Sequence, residues 1–228
     1  VQPEEIAKTI DHTLLRAEAT AADVETLCRE AAAYHFAAVC VFPHYVSMCA
    51  SLLKGTDVKT CTVISFPYGA DTQRIKALAA DEAVKRGADE VDVVINISAF
   101  LSGEFGLVRD ELAGVVSAVG VRGENMARGH VIVKAIIETC YLDEKLKRLA
   151  CRVCEQAGVD FVKTSTGVGP QGATVKDVEL LRDCLDAHIG VKASGGIRTA
   201  ADLERMVGAG AVRVGTSAGA SIMKESLA

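Results

Sequence analysis

Arg86-Gly-Ala-Asp-Glu-Val-Asp-Val-Val-Ile-Asn96 closes one structural element and opens another. Gly87 is the residue type that ends a helix, because it enters the left-handed backbone region without strain. The apolar, β-branched run after it reads as a strand. The same junction recurs at Gln156-Ala-Gly-Val-Asp160 and at Val207-Gly-Ala-Gly-Ala211. A helix, a glycine and then a strand, repeated, indicates one βα unit used many times.

Outward from that junction, similar runs lie at Thr9–Thr13, Phe36–Phe42, Val58–Ile64 and Glu90–Asn96. Others lie at Val131–Ile137, Val159–Thr164, Ile189–Ala193 and Ala211–Gly215. Near-continuous apolar runs suit parallel strands covered on both faces. Helical patterns fill gaps between them: from Thr20, with Val24, Leu27, Cys28 and Ala31 at helical spacing, then Asp71–Arg86 and Asp143–Ala157. Thr174–Ala187, Thr199–Val207 and a short final helix from about Ser217 complete the set. Eight strands alternating with helices predict an α/β protein, a (β/α)8 TIM barrel. A doubly wound open sheet is disfavoured, since no G-x-G-x-x-G follows the first strand. No break in composition divides the chain, so residues 1–228 are expected to form a single domain.

Of the 228 residues, 50% are hydrophobic and the net charge is −5, which excludes disorder as the main state. Basic residues number 25 against 30 acidic, and no Trp is present, so no nucleic-acid partner is expected. No apolar run is long enough to span a bilayer, so no membrane partner is expected either. The acidic start Val1–Glu5 does not read as a secretory leader, and a chain opening on Val is expected to lack its first few residues. The eight cysteines sit largely inside apolar segments, which suits reduced, buried thiols and a cytoplasmic protein. Cys151 and Cys154 lie within a helical pattern and read as helix residues rather than a redox or metal pair. The five histidines form no metal-ligand spacing, so neither a metal nor another cofactor is expected.

In this barrel the active site lies at the C-terminal ends of the strands. Polar residues inside the apolar runs are therefore informative. Lys134, Lys163 and Lys192 fall in the fifth, sixth and seventh predicted strands. Lysine is almost never buried without a partner, and adjacent strands lie about 4.8 Å apart. Crowding and burial both disfavour an ammonium, which is what a nucleophilic amine needs in order to form a Schiff base. The bland alternative is that each lysine snorkels outward. Asp92 is expected to balance the amines or shuttle protons. Asp11, Thr13 and Cys40 are further pocket candidates, and Glu138 is a possible partner of Lys134. Glycine-rich turns follow the last two strands, with Gly195, Gly196 and Arg198 in one and Gly215, Thr216 and Ser217 in the other. These are the usual phosphate-binding positions of the barrel. Gly167, after the sixth strand, is a further donor.

Phe161-Val-Lys163-Thr-Ser-Thr-Gly167 and Val191-Lys192-Ala-Ser-Gly-Gly-Ile-Arg198 resemble the paired lysine motifs of the deoxyribose-phosphate aldolase family. The segments Asp11–Leu15, Gly87–Asn96, Lys134–Thr139 and Arg213–Ser217 match it in the same order. The resemblance implies a metal-independent Schiff-base aldolase that cleaves 2-deoxy-D-ribose 5-phosphate to D-glyceraldehyde 3-phosphate and acetaldehyde. By it, Lys163 matches the Schiff-base lysine, Lys192 the second lysine that keeps the first uncharged, and Asp92 the acid/base aspartate. It implies phosphosugar and aldehyde substrates and a homo-oligomer, dimeric or larger. Three positions depart from the family pattern: Phe42 stands where many members have Asn, Ser65 where many have Gly, and Val168 where some carry Lys.

Overall fold

A computed structural model describes residues 2–126 and 129–227. A short helix, α1 (Pro3–Ala7), precedes β1 (Ile10–Leu14), and α2 (Ala21–Tyr34) leads to β2 (Ala38–Val41). Then come α3 (Val46–Leu52), β3 (Lys59–Ile64), α4 (Gln73–Arg86) and β4 (Glu90–Val94). Two helices, α5 (Ile97–Leu101) and α6 (Phe105–Asn125), separate β4 from β5 (Ile132–Ile136). The chain continues through α7 (Glu144–Ala157), β6 (Phe161–Lys163), α8 (Val175–Cys184) and β7 (Gly190–Ser194). It ends with α9 (Ala200–Gly208), β8 (Arg213–Thr216) and α10 (Gly219–Ser226).

The strands pair in chain order, every pair parallel, and β8 closes on β1. The expected barrel is therefore the fold. Local sequence explains many of its joints. Thr20, Asp143, Thr174 and Thr199 each accept the N–H of a first-turn residue with the side chain, satisfying a donor that the helix leaves open. Gly87 and Gly158 end α4 and α7 in the left-handed conformation, as the junctions predicted.

Two apolar clusters hold the molecule together. The larger lies between the strands and the surrounding helices. The smaller lies inside the barrel, where Ala38, Cys40, Cys61 and Val63 pack with Leu15, Phe42 and Phe66. Between α4 and α6, the buried ammonium of Lys76 donates to Glu111 Oε2 at 2.6 Å and to the carbonyl of Val94 at 3.2 Å. That contact fastens both helices to the C-terminal end of β4. No described helix is long and apolar enough to cross a membrane.

Candidate active site

The pleat turns alternate residues of each strand inward, and the register sets inward residues of neighbouring strands side by side. Asp92 on β4 is opposite Lys134 on β5. Lys163 on β6 is opposite Lys192 on β7, which is opposite Arg213 on β8. The lysines therefore do not snorkel outward, and all three are buried, as is Asp92. Asp92 binds them together: Oδ2 accepts from Lys163 at 2.8 Å and from Lys192 at 2.6 Å, while Oδ1 accepts from Lys134 at 2.9 Å.

A second tier lies deeper. Asp11 is 2.5 Å from Lys192 and accepts from Arg213 at 2.7 Å. Glu90 accepts from Lys134 at 2.5 Å and from Arg213 at 2.7 Å. This corrects the expectation that crowding strips protons from the lysines in general. Burial alone would lower Lys192, but Asp11 and Asp92 outweigh it and raise its pKa. Lys134 is likewise raised, with Asp92 the largest of the opposing influences on burial. Burial would raise Asp92 and Asp11; Lys134, Lys163 and Lys192 hold Asp92 well below the usual carboxylate range, and Arg213 leads in lowering Asp11.

A cavity of about 600 Å³ opens over this cluster at the C-terminal ends of the strands. Lys163 lines it, but Lys192, Lys134, Asp92, Asp11 and Cys40 do not; they lie buried outside its lining. Three of the four pocket candidates are thereby moved from the wall to the packing behind it: Asp11 and Lys134 into the ion-pair network, and Cys40 against Cys61 in the apolar cluster. The fourth, Thr13, does line the cavity. So do all the residues expected to hold phosphate: Gly167, Gly195, Gly196, Arg198, Gly215, Thr216 and Ser217. The N–H groups of Gly196 and Ile197 have no protein acceptor among the described residues. Gly195 has φ +89°, and a Cβ there would lie 2.8 Å from Gly172 Cα. The loops after β6 and β7 thus pack backbone against backbone, which a larger residue would prevent.

Glu138 is not a partner of Lys134. Its carboxylate accepts from Thr166 Oγ1 at 2.5 Å and from the Thr166 N–H at 3.3 Å, so it shapes the loop after β6. Ser194 was passed over in the sequence, although it follows Lys192 at the period of the strand. The residue lines the cavity, and its buried Oγ has no partner among the described residues. Arg213 and Glu90 were not singled out as site residues, although both fall within predicted strands. Cys40, Cys61 and Asp92 have ligand-type atoms within 4.8 Å of one another, as do Asp11, Cys61 and Glu90. The Lys134 ammonium donates to Cys61 and Glu90 and lies 3.7 Å from Asp11, so it stands among the second of these groups.

A family model described as DeoC/LacD family aldolase matches residues 6–227. Deoxyribose-phosphate aldolase of Thermoanaerobacter sp. (strain X514) is 53% identical over 220 residues, which cover 96% of each chain. The enzyme of the same name from Carboxydothermus hydrogenoformans is 50% identical over 224 residues, 98% of this chain and 96% of that one. Among solved structures, the tetrameric deoxyribose phosphate aldolase of Aeropyrum pernix superposes with a TM-score of 0.90 at 36% identity, over 100% of this chain and 93% of that one.

Proposed function

The chain belongs to the DeoC/LacD family of aldolases, and from that premise we propose that it cleaves 2-deoxy-D-ribose 5-phosphate reversibly to D-glyceraldehyde 3-phosphate and acetaldehyde. The observation that carries the mechanism is that Lys163 alone among the buried cations of the barrel reaches the cavity. Its uncharged amine attacks C1 of the open-chain sugar, and loss of water gives an imine. Protonated, the imine keeps a positive charge 2.8 Å from Asp92, where the ammonium stood. The carboxylate thus holds the electron sink in place without reorganising.

Withdrawal of electrons into the iminium breaks the C2–C3 bond as the C3 hydroxyl loses its proton. Asp92 Oδ2, the carboxylate oxygen beside Lys163, takes that proton through water and returns it when the enamine is protonated. Glyceraldehyde 3-phosphate leaves, the enamine is protonated at carbon, and hydrolysis releases acetaldehyde and the free amine. The glycine-rich rim and Arg198 would take the phosphate, fixing the sugar so that C1 meets the amine. We read residues 1–228 as one catalytic domain working in the cytoplasm as a homo-oligomer. The match over residues 6–227 and the tetrameric relative support that reading.

Reductive trapping tests the chemistry. Acetaldehyde with borohydride is expected to add one ethyl group, located on Lys163 by peptide mass spectrometry. Lys163→Arg is expected to take up no ethyl group, to keep its circular dichroism and to lose turnover. An active, folded Lys163→Arg protein would overturn the assignment.

A further inference from the structure

Every strand of the barrel sends a polar or ionisable group into one connected interior. Asp11 comes from β1, Cys40 from β2, Cys61 from β3, Glu90 and Asp92 from β4, Lys134 from β5, Lys163 from β6, Lys192 from β7 and Arg213 from β8. Burial pushes the Cys61 thiol well up, whereas contact with Cys61 lowers the Cys40 thiol; the charge count takes both as neutral. Four cations then face three carboxylates.

The contacts are unequal. Arg213 touches Asp11 and Glu90, Lys134 touches Glu90 and Asp92 and lies 3.7 Å from Asp11, and Lys192 touches Asp11 and Asp92. Lys163 touches Asp92 alone. The excess positive charge therefore falls on Lys163, the only one of these four cations that lines the cavity. Losing its proton brings the whole interior to neutrality.

Arg213 has a distinct place in this arrangement. A guanidinium does not deprotonate in proteins, and this one is only 12% exposed, between two carboxylates. It draws on Asp11 and Glu90, the same groups that hold Lys192 and Lys134. Without it, three carboxylates would match three ammonium groups, and Lys163 would have a full counter-charge. We propose that Arg213 is a positioning residue for the aldol reaction, whose permanent charge, balanced against Glu90, leaves Lys163 as the surplus cation and so frees its amine. The raised pKa values of Lys134 and Lys192 and the lowered values of Asp11 and Asp92 agree with a network in which these groups stay charged.

This inference rests on Lys163 being the reactive amine, and the test separates the two. The rate of Lys163 ethylation by limiting acetaldehyde and cyanoborohydride is measured between pH 5 and 9, with the peptide identified by mass spectrometry. In the unsubstituted protein, absence of an ethyl group on Lys163 overturns the aldolase reading itself. Given that label, Arg213→Met is expected to move the rising limb of the profile to higher pH by about one unit, the size of a single neighbouring-charge effect. Glu90→Gln is expected to move it the other way. The double variant restores an excess of one charge and is expected to return the limb to its original pH.

A uniform loss of rate at every pH, with the limb unmoved, would show that Arg213 is only structural and would overturn the inference. So would a folded double variant whose limb stays displaced. Should Arg213→Met fail to fold, Glu90→Gln decides, because it leaves Lys134 on Asp92 and Arg213 on Asp11. A limb that does not fall to lower pH in that variant overturns the inference equally.

Discussion

Asp92 touches three ammonium groups at once while wholly buried, so its substitution should be felt twice. Asp92→Asn removes the one counter-charge common to Lys134, Lys163 and Lys192. Breaking a buried ion pair by deleting one partner costs about 3–5 kcal/mol, and a loss of that size is expected in urea denaturation. Turnover should fall by at least ~100-fold, because the iminium at Lys163 loses its stabilising charge and the proton path is cut. A folded Asp92→Asn protein with near-normal stability would mean that the three lysines find other partners. Single residues were also where the sequence was most informative. A lysine in each of three consecutive apolar runs has few explanations other than a buried amine cluster; the register sets Lys163 opposite Lys192 and opposite Ile136, one strand period from Lys134, so all three share the inward face. What periodicity could not reveal was the sign of the effect. Crowding suggested that all three amines would resist protonation; carboxylates from β1 and β4 reverse that for Lys134 and Lys192.

At the scale of elements, the helix least visible in the sequence is the longest. Phe105–Asn125 carries Gly106, Gly114, Gly120 and Gly123 together with several valines, all poor helix formers. Packing supplies what propensity lacks: Val108, Leu112, Val115 and Val119 recur at helical spacing and are buried. The Lys76–Glu111 pair adds a polar fastening from α4. Burial lowers the pKa of Lys76, with Glu111 opposing it, so an unpartnered ammonium there would be costly. Glu111→Ala is expected to destabilise the protein by about 3–5 kcal/mol in chemical denaturation, whereas Lys76→Met with Glu111→Leu should recover most of the loss. Equal loss in the single and double variants would show that shape, not charge, is what α4 and α6 require. Helices bounded by Thr20, Gly87, Asp143, Gly158, Thr174 and Thr199 were legible because caps are local chemistry. Helices α1, α3 and α5, of five, seven and five residues, are too short to display a period.

Across the whole molecule, the buried ionisable groups set the pH range over which the barrel is stable. Asp11 and Asp92 have folded pKa values below those of the unfolded chain. They stabilise the fold above about pH 4, and that contribution is lost as pH falls further through their folded values. Lys134 and Lys192 are raised, so their contribution is complete below about pH 10.4 and lost only above it. Buried thiols act sooner. Burial pushes Cys151 up to about 12 and raises Cys61 and Cys154 as well. The unfolded thiols begin to ionise near pH 8.5 while the folded ones do not, so stability falls from there upward. The urea midpoint is therefore expected to stay level from about pH 5 to 8, to fall below about pH 4 and to decline above about pH 8.5. A midpoint that held steady to pH 10 would remove the thiols from this picture. The cylinder also has two unlike walls, ionic from β4 round to β1 and hydrocarbon around Leu15, Phe42 and Phe66. Competence and appetite are thus inherited from different sides. A lineage, or a laboratory library, can vary the greasy side where Leu15 meets the cavity and carry the proton inventory forward untouched.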